Sequence, residues 1–111
     1  MIIKPEKVKN GERTTDCKPK GAKYERSWIK YHTVETNRTE PYKECSITGC
    51  TNKDVVGGHV LTKTTGRTFY ILPICNSCNS SQNKAWMDVK GNRQAVEVTQ
   101  EVSDEFCLRQ N

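Results

Sequence analysis

Cys45-x4-Cys50 and Cys75-x2-Cys78 are two close cysteine pairs in this chain. A short loop can aim two thiolates at one point, so two such pairs read as a tetrahedral zinc site. Four thiolates saturate zinc and leave no open position, which makes the metal read here structural and unable to activate water. Between the pairs lies Gly57-Gly58-His59, inside a stretch from Val55 through Met87 that holds no carboxylate. That basic block is where any chemistry of the chain is expected. Cys17 and Cys107 fall outside the set of four and read as free thiols, with a bridge between them as the alternative.

The surrounding composition favours metal over disulfides. At 111 residues the chain is long enough for one domain with a modest core, and such cores often need a staple. Met1-Ile2-Ile3-Lys4-Pro5 is too short and too quickly charged for a secretory signal, and no apolar run approaches a membrane span. The expectation is therefore a cytoplasmic protein, in a reducing compartment where paired cysteines bind metal. The net charge of +5 is uneven. Residues 1–44 carry 11 basic and 7 acidic side chains, residues 45–90 carry 5 and 2, and residues 91–111 carry 2 and 4. A cationic body suits a polyanionic partner such as nucleic acid, DNA in the first instance.

The elements that must position these residues follow from periodicity. Residues 1–21 show little pattern and read as an irregular N-terminal arm. Residues 22–111 read as a single zinc-binding α+β domain. From Ala22 to about Glu35, Tyr24, Trp28 and Tyr31 recur at i, i+4, i+7, which predicts one helical face. That face packs on a core or, alternatively, stacks nucleic-acid bases beside Lys20, Lys23, Arg26 and Lys30. His59–Thr64 and Arg67–Leu72 read as a β-hairpin joined at Thr65-Gly66. Pro73 is expected to stop its second strand. Cys75-Asn76-Ser77-Cys78 then reads as the start of a helix to about Met87, capped by Asn76 or Ser77. Val96 and Val98 alternate with polar residues and predict a last strand, and a short terminal helix can start at Ser103-Asp104-Glu105. Knuckle, hairpin and helix, with two ligands at each end, give the order of a small treble-clef zinc domain.

From Cys45 to Asn83, the order Cys-x4-Cys, Gly-Gly-His, strand and Leu72-Pro73-Ile74-Cys75-Asn76-Ser77-Cys78-Asn79 resembles the HNH nucleases. These use a ββα-metal motif, often on a zinc-holding treble clef, and the core that resembles them is 45–87. The resemblance implies His59 as general base, taking a proton from the water that attacks a phosphodiester; read from the residues alone, His59 is as well a hydrogen-bonded residue at a strand start, with Gly57 and Gly58 providing a turn. It implies Asn79, and Asn83 one turn later, as ligands of a catalytic Mg²⁺ or another divalent ion. The family's metal ligand before the base is Gly58 here, and its middle asparagine falls near Tyr70. The implied protein is thus an HNH-type endonuclease or a degenerate relative. In either, Lys63, Arg67 and Lys84 would neutralise the nucleic-acid backbone. Two other readings stand beside it: a non-catalytic zinc module that binds nucleic acid, and one that inhibits or regulates a protein partner.

Overall fold

A computed structural model describes residues 1–11 and 17–103. Its strands are β1 (Ile2–Ile3), β2 (Lys7–Asn10), β3 (Val55–Thr62), β4 (Tyr70–Cys75), β5 (Met87–Asp88) and β6 (Ala95–Glu97). They form one antiparallel sheet in the order β1-β6-β4-β3-β2-β5. Among the described residues one α-helix, α1 (Trp28–Glu35), packs against β3 and β4. No helix of the described residues is long and apolar enough to cross a membrane.

This architecture overturns the treble-clef expectation. Residues 76–86 hold turns at 76–79 and 81–82 and irregular backbone between and after them, where the spacing predicts a helix. Asn79 N–H donates to the Cys75 carbonyl at 2.9 Å, Ser80 to Ser77 at 3.3 Å and Asn83 to Ser80 at 2.9 Å, so each turn closes without propagating. The segment is rich in Asn and Ser, whose side chains compete for backbone groups and favour turns over helix. Ser80 Oγ does so directly, accepting from Gln82 N–H at 3.2 Å.

The N-terminal segment read as an irregular arm supplies two strands. β2 inserts between β3 and the edge strand β5, with Val8 fully buried. The hairpin is present but longer than predicted, with Val55 facing Cys75 and Val60 facing Tyr70. Pro73 does not end it. Its carbonyl accepts from Ser46 N–H at 3.0 Å, away from β3, so its ring nitrogen also faces away and no β3 ladder bond is lost. The strand predicted around Val96 and Val98 is β6. The terminal helix predicted from Ser103-Asp104-Glu105 falls almost wholly outside the described residues.

The aromatic helix is also shorter than its spacing predicts. Ala22–Tyr24 is a 3₁₀ turn, after which Glu25 and Arg26 take positive φ of 51° and 55°. Ser27 then caps α1, its hydroxyl accepting from Lys30 N–H at 3.2 Å. Tyr24, Trp28 and Tyr31 still meet, because the turn folds Tyr24 back against Tyr31 edge-on at 4.9 Å. All three are buried, so they serve the core and are not open to stack bases.

Both sheet faces are covered, and the pleat sorts the residues between them. On one side Trp28 and Tyr31 of α1 pack against Ile71 and Val96. On the other, Val8, Val60, Tyr70, Leu72 and Ile74 pack with Cys45, Cys75 and Met87. Gly57 sets the distance to α1. A Cβ there would lie 2.6 Å from the backbone of both Trp28 and Ile29, so only glycine lets the helix seat on β3.

Candidate metal centre and cationic face

Two loops on the same side of the sheet bring the four cysteines together. Cys45 and Cys50 flank a tight knuckle, closed by Cys50 N–H to the Ile47 carbonyl at 3.0 Å, with Gly49 at φ +82°. An L-residue at that φ is strained, which is why glycine stands there. Ser46 N–H to Pro73 and the Ile47–Val89 bridge fasten the knuckle to the sheet. Cys75 ends β4, and Cys78 follows in the first turn beyond it. Asn10 of β2 pins that turn by donating to the Cys78 carbonyl at 2.7 Å and the Asn83 carbonyl at 3.1 Å.

All four sulfurs lie within 4.8 Å of one another, and Cys50 and Cys75 are 3.8 Å apart. Tetrahedral thiolates about 2.3 Å from one ion are separated by roughly 3.8 Å, so the cluster is of the right size to hold a metal ion. Burial pushes the Cys45 thiol up. Cys78 is pushed up too, by burial and then by its hydrogen bonds and like-charge repulsion with Cys45 and Cys75. Burial also raises Cys75, but the Asn52 amide and the Cys78 N–H outweigh it and bring Cys75 down to about 7. These donors take the place of the helix N-terminus expected at this point. One thiolate is favoured and its neighbours are resisted, the electrostatics of a site that a cation completes.

His59 stands on β3 under α1. It is 6% exposed, with its ring edge-on to Trp28 at 4.8 Å and to Phe69 at 6.0 Å. Nε2 lies 3.8 Å from Cys17 Sγ. Burial lowers its pKa to about 4, leaving a neutral imidazole in an aromatic cage.

The residues implied as metal ligands lie elsewhere. Asn79 Oδ1 sits 2.8 Å from where a Cβ on Gly58 would point. Gly58 and His59 are neighbours on one strand and point to opposite faces, so Asn79 and His59 are separated by the sheet. The amide of Asn83 is engaged locally, donating to the Cys78 carbonyl at 2.9 Å and accepting from Ala85 N–H at 3.3 Å. His59, Asn79 and Asn83 therefore form no common site.

The cationic candidates divide as well. Lys63 places its ammonium 4.9 Å from the Trp86 ring, and Lys9 of β2 does the same at 5.3 Å. Lys84 is exposed two residues before Trp86. Arg67 instead lines a shallow cavity with Glu97 and Glu101. Sequence reasoning passed over Trp86, Lys9 and Asn10. The signal for Trp86 was an indole beside a lysine in a polar segment, Asn83-Lys84-Ala85-Trp86, where no apolar periodicity demands a core residue.

Cys17 is disulfide-bonded, which corrects its reading as a free thiol; Cys107 lies outside the described residues. The Cys17 carbonyl accepts from Trp28 Nε1 at 2.7 Å, which orients the indole over His59. Protein-family models, curated proteins and solved structures were each compared with this chain, and none matches.

Proposed function

We propose that this protein is a zinc-stapled, non-hydrolytic module that binds nucleic acid. The observation that carries the reading is the placement of His59. A general base must reach the proton it removes, within hydrogen-bond distance or through one water. A buried imidazole with a pKa near 4, on the sheet face opposite Asn79, offers no such access. The four cysteines supply a closed site, so zinc there contributes folding energy and no Lewis-acid chemistry. All-thiolate coordination with short loop spacing favours zinc among common ions.

Binding is supported by charge. Lys63 and Lys9 meet at Trp86 on the β2–β3–β5 side of the sheet, in a chain of net charge +5. Phosphate contacts of this kind release counterions, so affinity falls linearly in logarithmic salt. The test is binding of labelled DNA and RNA across a salt series. A steep negative slope supports the reading, and absent or salt-insensitive binding contradicts it.

A further inference from the structure

We infer that the face bearing Trp86, Lys9 and Lys63 is a stacking platform for unpaired bases, so that the ligand class is single-stranded nucleic acid. This rests on the binding reading above and narrows it.

The geometry begins with the register of the sheet edge. Lys7 faces Asp88 and Val8 faces Met87 across β2 and β5. Carried one residue further, the same register sets Trp86 opposite Lys9, and their 5.3 Å contact agrees. Lys9 in turn faces Leu61 of β3, and Lys63 lies two residues beyond Leu61 on the same face. An indole, an aliphatic side chain and two ammonium groups thus share one patch at the open end of the sheet. Val8, between Lys7 and Lys9, points the other way into the core.

Trp86 is the largest exposed aromatic of the described residues, at 40% of its surface. An indole left outside a small core while Met87, its neighbour, is buried has no packing reason to be there. Its two cationic neighbours supply what a polyanion needs, and the carboxylate of Asp88, two residues beyond Trp86, is already paired with Lys7 at 2.5 Å. Charge complementarity therefore favours an anionic ligand over an apolar protein partner, and the exposed indole favours an anion that carries flat rings able to stack on it. The exposed ring distinguishes unpaired from paired bases. A base can stack on it only when its own face is free, and duplex bases have both faces covered. On binding, the ammonium groups move from the ring to the phosphates as a base takes their place.

The experiment is titration of a fluorescein-labelled oligodeoxythymidine, the matching duplex and heparin into wild type, Trp86→Ala, Trp86→Phe and Lys63→Ala. Each variant is first shown folded by circular dichroism. The single strand should bind more tightly than the duplex. Trp86→Ala should weaken single-strand binding roughly tenfold without changing the salt slope, and Trp86→Phe should restore most of it. Lys63→Ala should reduce the slope by about 0.7. Unchanged affinity in Trp86→Ala, or heparin and single strand bound alike, overturns the platform while the nucleic-acid reading stands. Wild-type protein that binds neither strand form overturns that reading itself.

Discussion

His59 and Trp28 meet edge-on with ring centroids 4.8 Å apart, and the contact converts a catalytic-looking histidine into part of the core. Trp28 is held over it from two directions: its Nε1 donates to the Cys17 carbonyl, and the backbone of α1 rests on Gly57. The imidazole is thereby kept dry and neutral.

Acid should expose this arrangement. An unfolded histidine takes up a proton near pH 6.5, whereas folded His59 does so only near 4. Between those values the unfolded state binds more protons, so stability falls as pH is lowered. The contribution of His59 is fully present above about pH 6.5 and is lost progressively toward pH 4, by at most about 3 kcal/mol. Urea denaturation of wild type and His59→Phe across this window should show a shallower pH dependence in the variant. Metal-site protonation affects both proteins and cancels in the difference. Identical slopes would remove His59 from the account.

Gly57 and Gly58 should respond differently to alanine. The new Cβ at 57 meets helix backbone at 2.6 Å, which cannot yield without moving α1. At 58 it meets Ile74 Cδ1 at 2.7 Å and Asn79 Oδ1 at 2.8 Å, both ends of side chains. Overpacking costs about 1–3 kcal/mol, and Gly57→Ala belongs at or above the top of that range with Gly58→Ala below it. Thermal melts giving the reverse order would mean that α1 is not seated as described.

The cap of α1 gives a smaller, cleaner figure. Ser27→Ala removes the hydroxyl that accepts from Lys30 N–H and should cost about 1 kcal/mol, read as a lower denaturation midpoint with an unchanged m-value. A cost near zero would indicate that packing alone fixes the start of the helix.

Metal removal should be decisive for the fold. Structural zinc contributes about 10–16 kcal/mol in small modules, comparable with the whole stability of a domain of this size. One zinc per chain is expected by elemental analysis, and chelation or Cys78→Ser should release it and abolish the cooperative unfolding transition. A folded, zinc-free Cys78→Ser protein would contradict the staple.

The parts of this structure that were legible in the sequence are those set by local spacing. The two cysteine pairs converge because each is a short loop, and β3 and β4 pair because their β-branched and aromatic runs flank a turn. What escaped depends on distant partners. Lys7–Asn10 has one buried side chain, Val8, and is a strand only because β3 and β5 lie on either side of it. The segment after Cys75 carries the cysteine spacing of a helix start, but its Asn and Ser residues close separate turns that Asn10 then pins from across the sheet. His59 reads in sequence either as a base or as a hydrogen-bonded residue at a strand start, because nothing local reveals that α1 will cover it. Trp86 is exposed only because β5 is the last strand of the sheet.

The central claim, binding without hydrolysis, is tested most directly by one incubation series. Zinc-loaded protein is mixed with labelled single-stranded and plasmid DNA in Mg²⁺, Mn²⁺ or Ni²⁺, and strand integrity is followed alongside retention. The account predicts retained, intact nucleic acid in every metal, released by salt. Cleavage that requires an added divalent ion and disappears in His59→Ala would contradict it.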